Sequence, residues 1–205
     1  MELLIGKKLG MTQIFEESGN VIPVSIIQAG PCPIVQVKTP DKDGYSAIQI
    51  GFGDVREKRV SKPLKGHFKR GGVTPQRVLR EFRVEDASKY KIGDSVGVDS
   101  FEGTEKVHVL GVSKGRGFAG VIKRHGFTRG PETHGSHHHR QVGSVGQCAW
   151  PARIFKGKKM PGRMGGKNSK VKNLKLVQVD TENNLLYVQG AIPGAVEGFV
   201  FVEKA

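Results

Sequence analysis

Lysine, arginine and histidine, the side chains that could bind an anion or a metal, concentrate between residues 113 and 172. This segment holds 14 Lys and Arg against one acid, Glu132, together with 12 Gly and five of the seven His. The other 145 residues carry 19 basic and 18 acidic groups. Cations at this density repel one another and have little apolar mass to pack, so a polyanion is needed to order them. The composition predicts a polyanionic ligand for a segment that does not fold compactly alone.

Two glycine motifs in this segment resemble nucleotide-binding loops. Gly115-Arg-Gly117-Phe-Ala-Gly120 matches GxGxxG and follows a predicted strand. A dinucleotide-binding turn also needs a helix that opens at the last glycine and an acid about 20 residues further on. Here the next glycine, Gly126, comes six residues later, and the sole acid is Glu132. Residues 162–168 lack both the spacing and the Ser or Thr of a phosphate loop, so neither motif predicts a cofactor.

The histidines of the segment include a near-continuous group, His134, His137, His138 and His139. Imidazole is a common metal ligand, and a structural zinc site needs four N or S donors. Three adjacent histidines on an extended chain point in different directions, however, and the surrounding lysines disfavour a dication. We therefore expect no metal. These rings are expected to stack on bases or to bond phosphate and ribose oxygens, with a solvated histidine run as the alternative.

No group of residues predicts enzymatic or membrane chemistry. Cys148 has histidines nearby, but no acid is placed to orient one of them as a base. Binding to a membrane surface uses an amphipathic helix, which the glycines would break. The chain is therefore expected not to be an enzyme and to have no cofactor, small-molecule substrate or membrane partner.

Structured RNA is the polyanion that the segment fits best. Its cations can neutralise phosphates, and its glycines allow the backbone to come close. Four aromatic side chains could stack on bases: Phe118, Phe127, Trp150 and Phe155. Double-stranded DNA fits less well, because no recognition helix, zinc finger or dimer-forming heptad is present.

The sequence pattern of the rest of the chain predicts short strands. Residues 11–16 and 21–28 flank a Ser-Gly-Asn turn and predict a hairpin. Strands at intervals of about 8 to 12 residues favour an antiparallel barrel or sandwich. Helices are expected only within residues 61–70 and 86–90. The other predicted strands are residues 34–38, 45–52, 78–84, 95–101, 106–112, 174–180, 185–189 and 199–203.

Strands lie on both sides of the basic segment, which predicts one β domain with an insertion. The domain comprises residues 1–112 plus 173–205, and residues 113–172 form a long extended loop. A loop of this length is unusual unless it is functional or ordered by a partner. Cys32 and Cys148 show no disulfide framework, and no signal peptide or membrane-length apolar run is present. A cytoplasmic protein with reduced thiols is expected.

Seven sequence blocks, in order over nearly the whole chain, carry a resemblance to a known family. They are Gly6-Lys-Lys-Leu-Gly-Met-Thr12, Gly44-Tyr-Ser-Ala-Ile-Gln49, Lys62-Pro63 with Gly66-His-Phe68, Ser113-Lys-Gly-Arg-Gly-Phe-Ala-Gly120, Gly143-Ser-Val-Gly146, Phe155-Lys-Gly-Lys-Lys-Met160 and Asn184-Leu-Leu-Tyr-Val-Gln-Gly-Ala-Ile-Pro-Gly194. Together they resemble the bacterial large-subunit ribosomal protein three family. The resemblance implies a β-barrel of the translation-protein type with few short helices, and a long basic loop that enters the large-subunit ribosomal RNA (rRNA).

The resemblance also implies a structural role in the large ribosomal subunit. Members of the family bind rRNA near its 3′ end early in assembly, and the loop tip approaches the peptidyl transferase centre. Ribosomal proteins fourteen and nineteen are the expected neighbours. In some relatives a glutamine after the Gly-Ser-x-Gly block is methylated. Here Ala149 stands at that position, so this modification is not expected.

The residues expected to contact rRNA are basic, histidine or tip residues, together with two lysines of the first block. They are Lys7, Lys8, Lys114, Arg116, Lys123, Arg124, His125, Arg129, His134, His137, His138, His139, Arg140, Gln147, Trp150, Arg153, Lys156, Lys158, Lys159, Arg163 and Lys167. Trp150 is expected to act as a stacking wedge, or alternatively to fold back onto Phe155 or the barrel. An RNA-binding protein that acts off the ribosome, as a chaperone or translational regulator, is the second functional hypothesis.

The charge density predicts a steep salt dependence of RNA binding. If 6 to 10 of the cations contact phosphates, affinity should fall by about 10³ to 10⁵ between about 50 and 200 mM salt, because each contact releases condensed counterions. Filter binding to structured RNA at several salt concentrations measures this slope. A nearly flat dependence would contradict a phosphate-based interface.

Overall fold

The computed structural model describes residues 3–205 and shows a mainly β protein. The chain forms two compact units: a barrel unit, made of the residues up to Val112 together with Asn168–Ala205, and a basic unit, Ser113–Lys167. The strands are β1 (Leu3–Phe15), β2 (Val21–Ala29), β3 (Cys32–Lys38), β4 (Ala47–Asp54), β5 (Gln76–Arg83), β6 (Ser95–Val96), β7 (Lys106–Val112), β8 (Phe118–Ala119), β9 (Gly162–Arg163), β10 (Asn168–Asp180), β11 (Leu185–Gln189) and β12 (Phe199–Lys204). The α-helices are α1 (Pro40–Asp43), α2 (Lys62–Gly71) and α3 (Val121–His125). No helix in residues 3–205 has the length and hydropathy of a membrane span.

Six strands of the barrel unit close into an antiparallel barrel in the order β1, β12, β7, β10, β11 and β2. The alternation on β7 shows why: Val107 and Val109 are fully buried, while His108 between them is partly exposed and Lys106 before them is exposed. Inward-facing residues of every strand fill such a barrel. Fully buried side chains from the other strands complete this core: Leu4, Ile27, Leu186, Val188 and Val202. The predicted mainly β fold with an antiparallel barrel is confirmed, and the sandwich alternative is not.

The strands β7 and β10 mark where the chain leaves the barrel unit and returns to it. Val112, the last residue of β7, pairs directly with Asn168, the first residue of β10. The sequence predicted a strand only from residue 174, six residues later. Lys170 and Lys172 are exposed, and Lys170 forms an ion pair with Glu203 of β12. Because these lysines face outward, the sequence pattern did not indicate that the first part of β10 is a strand.

A second sheet of the barrel unit contains β5, β4, β3 and β6 in that order. Lys38 donates to the Tyr45 hydroxyl at 2.9 Å and lies 2.9 Å from a carboxylate oxygen of Glu81. The bonds to Tyr45 and Glu81 raise the pKa of Lys38, and the bond from Lys38 lowers the pKa of Glu81. At the start of β3, burial raises the pKa of the Cys32 thiol to about 11. The Cys32 thiol is therefore protonated near neutral pH and is a poor nucleophile.

Several predicted elements are confirmed. The β1–β2 hairpin pairs Phe15 with Val21 around the predicted turn. Helix α2 lies where a short helix was expected, and a 3₁₀ turn at Ala87–Lys89 accounts for the other.

Other local features differ from the prediction. The predicted strand at residues 95–101 is only the two-residue β6, followed by a 3₁₀ turn at Val98–Phe101. Val98 and Phe101, three residues apart, are both fully buried, and the Ser100 hydroxyl donates to the Gly97 carbonyl at 2.8 Å. An i, i+3 pair of buried side chains suits a 3₁₀ turn, in which such residues lie on one side. Helices α1 and α3 were not predicted, since they are only four and five residues long.

Two glycines of β1 offer a matched test of barrel packing. A methyl group on Gly6 would lie 2.7 Å from the Ile27 methyl Cγ2 and 2.8 Å from the Gln28 carbonyl oxygen, whereas one on Gly10 would meet no atom within 4 Å. Gly6→Ala should therefore lower the free energy of unfolding by about 1–3 kcal/mol through overpacking. Gly10→Ala should change it by less than about 0.5 kcal/mol. Urea unfolding measures both values, and equal values for the two variants would contradict the barrel register.

Candidate RNA interface

The two ends of the basic unit pair with each other through a short ladder of backbone hydrogen bonds. Ser113 N–H donates to the Lys167 carbonyl at 2.9 Å, and Arg116 N–H donates to the Met164 carbonyl at 2.9 Å. The strands β8 and β9 continue this pairing. A methyl group on Gly165 would lie 2.1 Å from the Lys114 carbonyl oxygen, and Gly165 has φ +70°. Gly165 thus serves chain packing, which accounts for part of the resemblance of residues 162–168 to a phosphate loop.

Two side chains of helix α3 bind the backbone of Met160, two residues before β9. Arg124 donates from Nη1 to the Met160 carbonyl at 2.7 Å. The His125 ring nitrogen Nε2 lies 3.0 Å from the same oxygen. A methyl group on Gly162 would lie 2.7 Å from Arg124 Nη1, so the guanidinium packs directly on the glycine. Arg124 and His125, both predicted rRNA contacts, thus have internal roles as well.

Residues 127–159 form turns and bends, and no helix or strand is assigned among them. Gly130 N–H donates to the His139 carbonyl at 3.2 Å, and His139 Nδ1 lies 3.1 Å from the Pro131 carbonyl. Within the described basic unit only Ala119 and Val121 are buried. This unit therefore lacks an apolar core of its own, as its composition predicted.

The cations of the basic unit project to the surface. Eleven of its twelve Lys and Arg are exposed, and Arg124 is half-buried. Arg129 and Glu132, 3.2 Å apart, make the one ion pair within its described residues. The exposed cations are Lys114, Arg116, Lys123, Arg129, Arg140, Arg153, Lys156, Lys158, Lys159, Arg163 and Lys167. The unit consequently presents a dense field of positive charge with almost no internal neutralisation.

Aromatic side chains stand among these cations. Phe118 is 80% exposed and Trp150 is 81% exposed. The Arg153 guanidinium lies 5.7 Å from the centre of the half-exposed Phe155 ring. Trp150 thus does not fold back onto Phe155. Exposed aromatic rings beside cations are a common platform for nucleotide bases.

The histidines of the basic unit, Gln147 and Cys148 do not form a recognisable chemical centre. His134, His137, His138 and His139 are exposed. Among residues 3–205 no group of three or more His, Cys, Asp or Glu side chains is placed to hold a metal ion. Gln147 and Cys148 are also exposed. What these residues share is accessibility to a partner.

The two predicted contacts outside the basic unit differ in exposure. Lys7 lies 3.2 Å from Glu197 and stays partly exposed. Lys8 is only 8% exposed, and its ammonium donates to the Ile192 carbonyl at 3.1 Å. The structure therefore places the Lys8 side chain inside the barrel unit.

Comparison with known proteins identifies the family. A family model described as "Ribosomal protein L3" matches residues 70–185. The chain is 54% identical over 203 residues to the large ribosomal subunit protein uL3 of Acidothermus cellulolyticus, which covers 98% of this chain and 91% of that protein. It is 54% identical over 202 residues to uL3 of Heliobacterium modesticaldum and 53% identical to uL3 of Carboxydothermus hydrogenoformans, in each case covering 98% of this chain and 96% of the relative.

The chain belongs to the ribosomal protein L3 family. It is therefore a structural constituent of the large ribosomal subunit that acts in translation, and it is not an enzyme. The resemblance drawn from seven sequence blocks is confirmed. As a ribosomal protein it associates with rRNA and with other ribosomal proteins.

Sequence reasoning missed the internal anchoring of α3. Arg124 and His125 counted only as two more basic residues, because their shared partner is a backbone carbonyl 35 or more residues away. The one available signal was Gly162, which leaves room for a large side chain against the backbone.

The anchoring can be tested within the basic unit. Arg124→Gln should speed amide exchange of β8, α3 and β9, because a charge-assisted hydrogen bond of about 1.5–3 kcal/mol is lost. Lys123→Gln removes an adjacent, exposed charge and is the matched control. Exchange mass spectrometry of the free protein measures both variants. Equal exchange in the two variants would show that Arg124 does not hold the unit together.

Proposed function

We propose that this L3 family member binds large-subunit rRNA directly through the basic unit, which acts as an extended rRNA-penetrating loop. The predicted division into a barrel of residues 1–112 plus 173–205 and a loop of residues 113–172 is part of this proposal, except that residues 168–172 begin β10. The barrel docks on the rRNA near its 3′ end, and the loop holds separate RNA segments together. The protein is thereby a nucleus for early subunit assembly in the cytoplasm.

The observation that carries the proposal is the exposure of eleven cations, ten of them without an ion pair among the described residues, on a unit with two buried residues. Such a surface is unfavourable in isolation, since like charges repel and no apolar core compensates. Phosphates remove the repulsion and release counterions. A ribosomal protein meets that polyanion in rRNA, so the charge has a partner in the assembly to which the family belongs.

Side chains around residue 150 support a contact with bases at the far part of the loop. Trp150 offers a large stacking surface, and Gln147 offers an amide that can bond base edges. Both are exposed. We therefore place Gln147 and Trp150 at a tip that reaches toward the peptidyl transferase centre. The exposed histidines between residues 134 and 139 contact ribose or phosphate oxygens along the way.

Further contacts involve the rest of the protein. Lys7 remains partly exposed beside Glu197 and joins the rRNA surface of the barrel. Lys8 belongs to the same rRNA surface through its position on β1. Its ammonium does not take part, because that group donates to the Ile192 carbonyl. Ribosomal proteins fourteen and nineteen are the neighbours that we propose for the barrel.

Removing the far part of the loop tests the proposal. A chain in which a short Gly-Ser linker replaces residues 127–158 retains Arg124, His125 and Met160, which are already in contact. The barrel should keep its stability, while affinity for protein-free rRNA and the yield of large subunits fall. Gradient sedimentation and rRNA binding measure these effects. Normal assembly and normal peptidyl transfer in a strain that carries this variant would overturn the proposal.

A neutralised variant separates charge from chain length. Changing Arg129, Arg140, Arg153, Lys156 and Lys158 together to Gln keeps every backbone contact. If all five contact phosphates, the magnitude of the salt slope of rRNA binding should fall by about 4.5, near 0.9 for each lost contact. An unchanged slope would show that these cations do not meet phosphates.

A further inference from the structure

A second basic surface lies in the barrel unit, at residues 56–77. These 22 residues carry eight Lys and Arg against one acid, Glu57. All eight cations are exposed, and none forms an ion pair within residues 3–205. The near-neutral total of the residues outside the basic segment conceals this cluster. A net charge of +7 in so short a stretch creates a positive local electrostatic potential that attracts anions.

Helix α2 arranges part of this charge in a row. Lys62, Lys65 and Lys69 follow i, i+3 and i+7 spacing, which places them on one helix face. Phe68, on another face, is only 2% exposed and anchors the helix. The row from Lys62 to Lys69 is about 10 Å long at 1.5 Å per residue. It can therefore meet more than one phosphate of a nucleic-acid strand.

Three further arginines of residues 56–77 lie close together. Arg56, Arg59 and Arg77 line one open pocket together with Asp54 and Val55. The Arg77 guanidinium also lies 5.4 Å from the centre of the Phe199 ring. The Asp54 carboxylate accepts a bond from Gln76 Nε2 at 2.8 Å, so it is already engaged.

Gly66 leaves the backbone of α2 open to the outside of the chain. A glycine inside a helix is destabilising relative to alanine, and one usually finds a steric or conformational reason for it. Gly71 has such a reason, because a methyl group there would lie 2.7 Å from the Val35 carbonyl oxygen. A methyl group on Gly66 would meet nothing within 4 Å in the described chain, and its φ is not positive. Gly66 lies close to the lysine face, so its bare backbone leaves room for something outside the chain.

We propose that this surface, the α2 surface, binds the phosphate backbone of an rRNA duplex as a second contact. The proposal rests on the proposed function, in that rRNA is the polyanion the protein meets. Lysine is depleted from protein–protein interfaces, which favours a nucleic acid over a protein. Among the described residues 56–77 no aromatic side chain is exposed, so base stacking is not available there. Contact through phosphates and shape, as in duplex RNA, fits these residues.

Charge-neutral variants of the full chain test the α2 surface. Lys62, Lys65 and Lys69 are changed together to Gln. The matched control changes Lys91, Lys106 and Lys175, which are exposed lysines of the barrel unit outside this surface. Binding to protein-free large-subunit rRNA is measured from 50 to 300 mM salt. The α2 variant should lose roughly tenfold in affinity, and its salt slope should fall by about 2 to 3; the control slope should change by less than 1.

The outcomes distinguish this proposal from the function above. If the five-residue Gln variant of the loop weakens binding and the α2 variant does not, the proposal for the α2 surface is wrong and the proposal for the loop is supported. The reverse result supports the proposal for the α2 surface and contradicts the proposal that the loop binds rRNA. Equal losses in the α2 variant and its control would reduce the effect to net charge and overturn the proposal. Poor subunit incorporation with unchanged rRNA affinity would show a protein partner instead, and would also overturn it.

Gly66→Gln adds a test that does not depend on charge. Glutamine favours the helix, and its Cβ would meet no atom of the described chain within 4 Å, so the melting temperature should stay equal or rise. Affinity for the same rRNA should fall several-fold, because the side chain fills the space next to the lysine row. A melting temperature that is maintained with unchanged affinity would contradict close approach of RNA to α2.

Discussion

The pairing of Val112 with Asn168 is the contact on which the organisation of the chain depends. It joins the end of β7 to the start of β10, so both strands are needed for the barrel to close. The cost of closing a loop grows only slowly with its length, and the 55 residues between these partners therefore add little to it. Ser113 and Lys167, the next residues along the chain, also pair through their backbones. A stable barrel can thus carry a long segment that contributes almost nothing to the hydrophobic core.

The boundary between positively charged and net acidic parts of the chain differs from the boundary between the barrel unit and the basic unit. Residues 56–77 carry a net charge of +7 and residues 113–172 one of +13, which together exceed the net +14 of the chain, so the remaining residues are net acidic. Several of those acids are engaged by lysines of the barrel unit, as in the contacts of Glu81 with Lys38 and of Glu203 with Lys170. They leave the exposed cations elsewhere without internal counterions. The positive surfaces therefore remain available to an external polyanion.

Much of the barrel could be predicted from the sequence, because alternation of apolar and polar residues directly reports a strand with one buried face. The hairpin around Ser18 and the strand at residues 106–112 are examples. Closure into a barrel could not be read from alternation, since a sandwich has the same period. Val98 and Phe101 resembled a strand because they are apolar and β-branched or aromatic, yet their spacing places them on one side of a 3₁₀ turn. In the basic unit, charge density was visible, but the bonds of Arg124 and His125 to Met160 depend on the fold alone.

Glycine separates the parts of the molecule that serve the fold from those that serve a partner. Gly6 and Gly165 are required by neighbouring atoms, which a methyl group would meet at 2.7 and 2.1 Å. Gly66 and Gly115 have open space around them and no positive φ. Since glycine raises the conformational entropy of the unfolded chain, its use where the fold does not demand it weakens the protein slightly. Both of these positions lie among exposed lysines and arginines. An interface with a bulky polyanion accounts for this cost, because close approach of the backbone shortens the distance between cations and phosphates and so strengthens their attraction.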